Sequence, residues 1–343
     1  MPENVDSALI LIEKYRGNFL IKKIADKVIA LKRISAKDAL YLYTKAELGL
    51  LSVLADYVRI KKNKNFTYFI KNIHLEPGNI CIYQCNFCSY SRAKGEKGSW
   101  ELSPEEMLLK IKPLLKKGLR EIHIVGGVHP DHDLFYYVDL IRRIREANNT
   151  IHIKAFTAIE LDYMFRKSRF SDVNGFEMLK SAGLNSIPGG GAEIFSPEIR
   201  KKLCAQKPSG RIWLKIHEAG HSCGIPSNAT MLYGHIENYR HRIDHLEKLR
   251  TLQDKTGMFN AFIPLKYRNK NNALSDINEC TIIEDLRNYA VCRIFLDNFK
   301  HIKAYWPMIG KSTTQLSLSF GVDDIDGTIE DSTKIYSMAG AEE

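Results

Sequence analysis

The chain has 343 residues, 44% of them apolar, which is enough for one large or two ordinary domains with a sizeable core. Its 50 basic and 40 acidic residues leave a net charge of +10, but the basic residues are scattered among acids, which argues against a nucleic-acid stripe and suits an anionic small substrate. No run approaches the roughly 18 apolar residues that a bilayer-spanning helix needs, and an odd count of seven cysteines favours metal binding or buried thiols over disulfides.

From the N-terminus, MPENVDSALILIEKY lacks a basic segment ahead of its apolar run, so no signal peptide is expected and the protein is expected in the cytoplasm. Residues 1–62 read as a helical extension. Leu9, Ile10, Ile12, Ile21, Ile24, Val28 and Leu31 recur at helical spacing, and Ala36 to Val58 forms a second apolar-rich segment. The basic cluster Lys61-Lys62-Asn63-Lys64 reads as a solvated turn.

Residues 63–343 change pattern, with short apolar runs alternating with amphipathic ones. The predicted strands are Phe69–Leu75, Glu121–Val125, Ile151–Phe156, Leu184–Ile187, Asn228–Leu232, Ala261–Leu265, Ile302–Trp306 and Gln315–Phe320. Between them, Ser103-Pro104-Glu105-Glu106 is a capping box with proline at the first helical position. Glu237–Lys255 and Ile282–Phe295 each carry an apolar stripe. Such alternation predicts a parallel sheet, and eight repeats suit a closed (β/α)8 barrel of the TIM type with an N-terminal helical extension. An open doubly wound sheet is the alternative, which periodicity cannot separate.

Residues just after the predicted strands are small, polar or charged: Glu76, Gly126-Gly127, Thr157, Gly189-Gly190-Gly191, Gly234-His235, Lys266 with Arg268, and Gly321. In barrels these C-terminal ends build the active site.

The first such end carries Cys81-x3-Cys85-x2-Cys88. That spacing fits neither a four-cysteine ferredoxin run nor a zinc-ribbon pair. Three thiolates on one tight loop can bind three irons of a [4Fe–4S] cubane and leave the fourth iron open to a small chelating ligand. Three incidental cysteines or a three-cysteine zinc site are the plainer alternatives.

With Phe87 just ahead of its third cysteine, this loop resembles the signature of the radical S-adenosylmethionine superfamily. The resemblance implies that Cys81, Cys85 and Cys88 hold the cluster, that the amino and carboxylate groups of S-adenosylmethionine chelate the open iron, and that the backbone around Phe87 contacts adenine. It implies that Gly126 and Gly127 approach the methionyl part and that Glu160 reaches the ribose hydroxyls, an exposed helix-start glutamate being the alternative.

Three further segments resemble the menaquinone-pathway subgroup that acts on futalosine-type compounds: Ile124–Pro130, Ser186–Glu193 and Asn228–Glu237. Within it, Gly310–Glu343 is most similar to the aminofutalosine synthases. The sibling dehypoxanthine futalosine cyclases share the cluster loop and the Pro-Gly-Gly-Gly-Ala-Glu block. The synthase resemblance implies adenosyl addition to the vinyl carbon of 3-[(1-carboxyvinyl)oxy]benzoate, aryl migration, and loss of a carboxyl group as bicarbonate. Its small substrate is a dianionic aromatic, and its electron comes from an external low-potential donor such as flavodoxin or ferredoxin.

Two carboxylates need cations or N–H donors. Arg268 offers a bidentate fork and Lys266 a point charge. The glycine run Gly189, Gly190 and Gly191 offers backbone N–H groups. His129 and His235 either touch substrate, move a proton or make structural hydrogen bonds.

Other signals read as structural. His217-Glu-Ala-Gly-His221 formally matches a zinc-protease motif, with Ser227 where a third histidine would stand. His241 and His245 read as a solvated helix face, and Cys204, Cys223, Cys280 and Cys292 as inert thiols. Asp323-Asp324 with Asp326 resembles a hard-cation loop, with a solvated acidic turn or an aspartate orienting a substrate group as the alternatives.

Overall fold

The computed structural model describes residues 10, 12–15, 17–328 and 333–341. Leu9 and the opening MPENVDSA lie outside them.

All strand pairings are parallel. β1 (Lys71–Leu75) pairs with β2 (Glu121–Ile124), and β2 with β3 (His152–Ala155). β4 (Ser227–Tyr233) pairs with β5 (Phe259–Lys266), and β5 with β6 (His301–Ala304). Single bridges from Lys154 to Ser186 and from Ile187 to Ser227 insert residues 186–187 between β3 and β4. At the other seam, β7 (Asp324–Ile325) pairs with β6, while β8 (Gly327–Thr328) pairs with β1. The pairings therefore run round a complete ring of eight positions, with residues 324–328 acting as one split closing strand. This is the closed barrel rather than the open sheet.

Six strands lie within two or three residues of their predicted bounds. The eighth does not. Gln315–Phe320 falls in a helix (Lys311–Ser317) and a 3-10 turn (Leu318–Phe320). Its alternation of Leu316, Leu318 and Phe320 with serine mimics a strand's period, but Thr313, Thr314 and Ser317 face inward while Leu316 is exposed. The true closing strand holds Asp and Gly, poor strand formers, and forms because the ring needs a partner for β6 and β1.

Among the described residues, three complete helices precede β1: Phe19–Ile29, Ala36–Lys45 and Leu48–Asn63, the first two capped by Asn18 and Ser35. They pack Leu42, Tyr43, Leu51 and Leu54 into the same apolar cluster as the barrel helix Ile282–Phe295, where the Tyr43 hydroxyl donates to Asn288 at 2.8 Å. None of their residues reaches the cavity described below. No described helix is long and apolar enough to cross a membrane.

The zinc-like motif is a packing device. His217 Nδ1 and His221 Nε2 both lie 2.8 Å from Ser227 Oγ, which ties helix Gly210–Ser222 to the start of β4. Glu218 turns outward to Lys255. His245 is fully buried rather than solvated. Its Nδ1 accepts from Phe195 N (3.2 Å), its Nε2 faces Thr230 O at 2.9 Å, and its ring stacks on Phe195. The helix carrying it, Tyr239–Thr256, turns His241 outward and His245 inward, which spacing alone does not reveal.

The acidic segment is likewise internal. Asp323 is fully buried, accepts from Ile302 N at 2.9 Å, and pairs with Arg293 and His301. Asp324 lies 3.5 Å from Lys303, and Asp326 lies 4.0 Å from His74. These acids anchor the closing strand; they form neither a cation loop nor a solvated turn.

Candidate active site

The loop after β1 folds back on itself. Gly78 bridges Glu101 and Ile80 bridges Arg92, while Cys81 N donates to Arg92 O at 2.9 Å. One flank is pinned to the end of β2, where Gly127 N donates to Gly78 O (2.9 Å) and Ile82 N to Val128 O (3.0 Å). The approach is so close that a Cβ on Gly127 would sit 2.2 Å from Ile80 O. The other flank rests on helix Pro197–Cys204, with Asn86 N donating to Leu203 O at 2.8 Å and Asn86 Nδ2 to Lys202 O at 2.7 Å.

Cys81, Cys85 and Cys88 line one cavity at the barrel mouth, half-buried. Cys81 Sγ accepts from Tyr83 N (3.4 Å) and Val128 N (3.3 Å), and Cys88 Sγ accepts from Ser91 N (3.4 Å). These donors favour thiolate, whereas burial, with smaller contributions from nearby sulfurs and Glu193, pushes the Cys85 thiol up to about 12, and burial chiefly raises that of Cys81. A bound cation would offset that cost at Cys81 and Cys85, so the loop suits a positive centre. Among the described residues the cavity wall holds these three cysteines, no fourth cysteine and no histidine. The residues fit a cluster with one open position.

The cavity encloses about 1080 Å³, open solvent included. Phe87, Gly126, Gly127, Gly190, Gly191 and Arg268 line it. Gly189 lies deeper, on a second cavity in the barrel lumen that shares Val125, Thr157, Gly190 and Leu265 with the first.

Glu160 is buried rather than exposed and faces inward to its own helix start. It accepts from Thr157 N and Thr157 Oγ1 (both 2.7 Å) and from Gly126 N (3.2 Å). Burial raises its carboxyl to about 7, opposed by those three hydrogen bonds. A folded pKa above the unfolded value means stability that is full below about pH 4.5 and lost as pH rises through about 7. The destabilisation by Glu160→Gln, read from thermal midpoints, should therefore be greatest near pH 5 and shrink by roughly 1–3 kcal/mol towards pH 8. A difference that grows with pH would contradict this assignment.

His129, His235 and Lys266 are not brought into the cavity lining. Asp131 N donates to His129 Nδ1 (3.1 Å), leaving the proton on Nε2, which lies 3.0 Å from Glu101. Ile236 N donates to His235 Nδ1 (2.7 Å) while its Nε2 faces Leu232 O at 3.1 Å. Lys266 Nζ is held by Cys280 O and Asp285, both at 2.7 Å. Arg268 reaches the wall, but its guanidinium also grips Met308 O (3.0 Å), Gly340 O and Glu279 (3.2 Å).

Sequence reasoning missed Lys207, which lies on a helix–helix connection rather than after a strand. Its Nζ donates to Glu193 at 2.8 Å and sits 5.2 Å from the centre of the Phe87 ring. It also missed the C-terminal lid. Ile335, Tyr336 and Ala339 cross the mouth, held by Glu76, which accepts from Lys334 N (3.2 Å) and Ile335 N (3.0 Å). The residue Glu76 was visible as a strand-end acid, but nothing local shows what it holds.

Residues 75–249 match the family model described as the Radical SAM superfamily, and residues 256–343 match that of the CofH/MqnC C-terminal region. The chain is 42% identical to aminodeoxyfutalosine synthase of Thermus thermophilus, over 93% of this chain and 86% of that one. It is 35% identical to cyclic dehypoxanthine futalosine synthase of Streptomyces coelicolor, over 94% and 81% respectively. Among solved structures, methylornithine synthase superposes with a TM-score of 0.72 at 18% identity, covering 91% of this chain and 88% of that one, a likeness of fold.

Proposed function

The chain belongs to the radical S-adenosylmethionine superfamily, in the branch with a CofH/MqnC-type C-terminal region, and from that premise we propose that it is an aminofutalosine synthase. It joins the adenosyl group of S-adenosylmethionine to 3-[(1-carboxyvinyl)oxy]benzoate, giving aminofutalosine, methionine and bicarbonate. The observation that carries this reading is that the branch-specific region supplies much of the cavity wall: Tyr267, Arg268, Met308, Ile335, Tyr336 and Ala339. The stronger identity to a synthase than to a cyclase points the same way.

Cys81, Cys85 and Cys88 would hold a [4Fe–4S] cluster, which when bound supplies the electron that cleaves the sulfonium. The remaining work falls to the protein. Gly126 and Gly127 hold the cysteine loop against β2, and Glu160 fixes Gly126. Phe87, Gly190 and Gly191 wall the space for the adenosyl group, with Gly189 backing it from the lumen. Lys207 and Arg268 set positive charge against the two carboxylates of the benzoate substrate. His129 and His235 act by fixing the loops after β2 and β4. Closure by residues 333–341 keeps water from the reactive carbon. The electron donor is an external low-potential carrier such as flavodoxin or ferredoxin.

The test follows the adenosyl group. In anaerobic incubations with dithionite and the enolpyruvyl benzoate, methionine should match a new adenosyl-containing product one for one, with free 5′-deoxyadenosine a minor leak. Stoichiometric 5′-deoxyadenosine and a cyclised product from dehypoxanthine futalosine would instead assign the cyclase reaction.

A further inference from the structure

Beside the cysteine loop lies a third cavity, of about 1070 Å³ with open solvent included, against helices Pro197–Cys204 and Gly210–Ser222. It meets the first cavity at Lys207 alone. Five basic side chains line it and no acidic one does. Two are committed within the fold, Arg200 to the Ala192 and Pro208 carbonyls (both 2.6 Å) and Lys207 to Glu193. The other three, Lys201, Arg211 and Lys248, are exposed, and none has a carboxylate within ion-pair distance among the described residues.

The helix that carries Lys201 also carries the loop around Cys85. Gln84 and Asn86, both exposed, flank that cysteine and bond to Gln206, Lys202 and Leu203. Here the cysteine loop comes to the surface beside unpaired positive charge. The opposite approach, through the mouth, is covered by residues 335–339 and filled by both substrates in turnover.

We propose that this face, framed by Lys201, Arg211 and Lys248, docks an acidic, low-potential one-electron carrier protein and delivers its electron at Cys85. The proposal rests on the cluster reading above. One electron leaves the carrier and one arrives at the metal centre held by the three cysteines, with no proton or group transferred. Electron transfer weakens steeply with distance, so the carrier must contact the loop that holds the acceptor. Redox encounters of this kind are small, brief and steered by opposite charge, which requires a basic rim around a modest patch rather than a large apolar interface.

The experiment compares the reconstituted holoenzyme with Lys201→Glu/Arg211→Glu/Lys248→Glu. Oxidation of flavodoxin hydroquinone is followed by stopped-flow flavin absorbance at several salt concentrations, separately from product formation. At low salt the triple variant should accept electrons about 10-fold or more slowly, with the wild-type salt dependence flattened or reversed. Its iron content and dithionite-driven product formation should be unchanged. A control with the same charge change on helix Pro104–Leu115 and its C-cap, Lys110→Glu/Lys112→Glu/Lys116→Glu, should keep the wild-type rate. The proposal is overturned if the triple variant keeps the wild-type rate and salt slope, or if the control slows equally. Because flavin oxidation is read directly, failure of the wild type to form aminofutalosine would sink the assigned reaction without touching the docking result.

Discussion

Cys85→Ala is expected to leave a folded protein that holds almost no iron and forms no product. Anaerobically reconstituted wild type should carry about four iron per chain, the content of one [4Fe–4S] cluster. Cys85 is the middle ligand of a loop pinned on both flanks, so its neighbours cannot shift to replace it. The nearest candidate substitute, Cys204, is buried and faces the basic outer cavity rather than the mouth. Cys204→Ala and Cys280→Ala should therefore keep wild-type iron, and only Cys85→Ala should lose it. Full iron and activity in Cys85→Ala would end the cluster assignment, and a large loss in either control would point to a second metal site.

Gly127→Ala should be nearly as damaging although it removes no ligand. The added methyl group would lie 2.2 Å from Ile80 O, 2.7 Å from Ile80 C and 3.0 Å from Asn79 C, all backbone atoms. Those atoms cannot yield, because Asn79, Cys81 and Ile82 each donate a backbone hydrogen bond that sets the loop's path. Overpacking of this kind costs roughly 1–3 kcal/mol where side chains can adjust, and here backbone must move. The displacement falls on the residue before Cys81, so iron retained after desalting should drop several-fold. Gly190→Ala is the comparison. Its methyl would meet the Thr157 side-chain methyl at 2.8 Å rather than the backbone of the cysteine loop, so most iron should stay. Equal iron in Gly127→Ala and wild type would show that the close approach to β2 is dispensable.

What the amino-acid order alone determined were the features whose information is local. Cys81, Cys85 and Cys88 lie within one short loop, so their spacing pointed to a metal ligand set before any fold was known. Six strands and the helices between them were legible because periodicity and caps are written in contiguous residues; Ser103 with Glu106 forms the capping box read from the sequence. Strand-end glycines marked the barrel mouth for the same reason.

Tertiary structure decided whatever depends on partners far apart along the chain. Residues 324–328 became the closing strand through β6 and β1, against their own propensity, while the better strand pattern at 315–320 became helix. His245 and Glu160 were drawn inward, and His129 and His235 were turned to their own loops. Lys207 reached the cavity from a connection between helices, and residues 333–341 were laid over the mouth by Glu76 and Arg268. A buried charge must find a partner wherever closure of the ring places one, and that choice belongs to the whole fold rather than to any window of sequence.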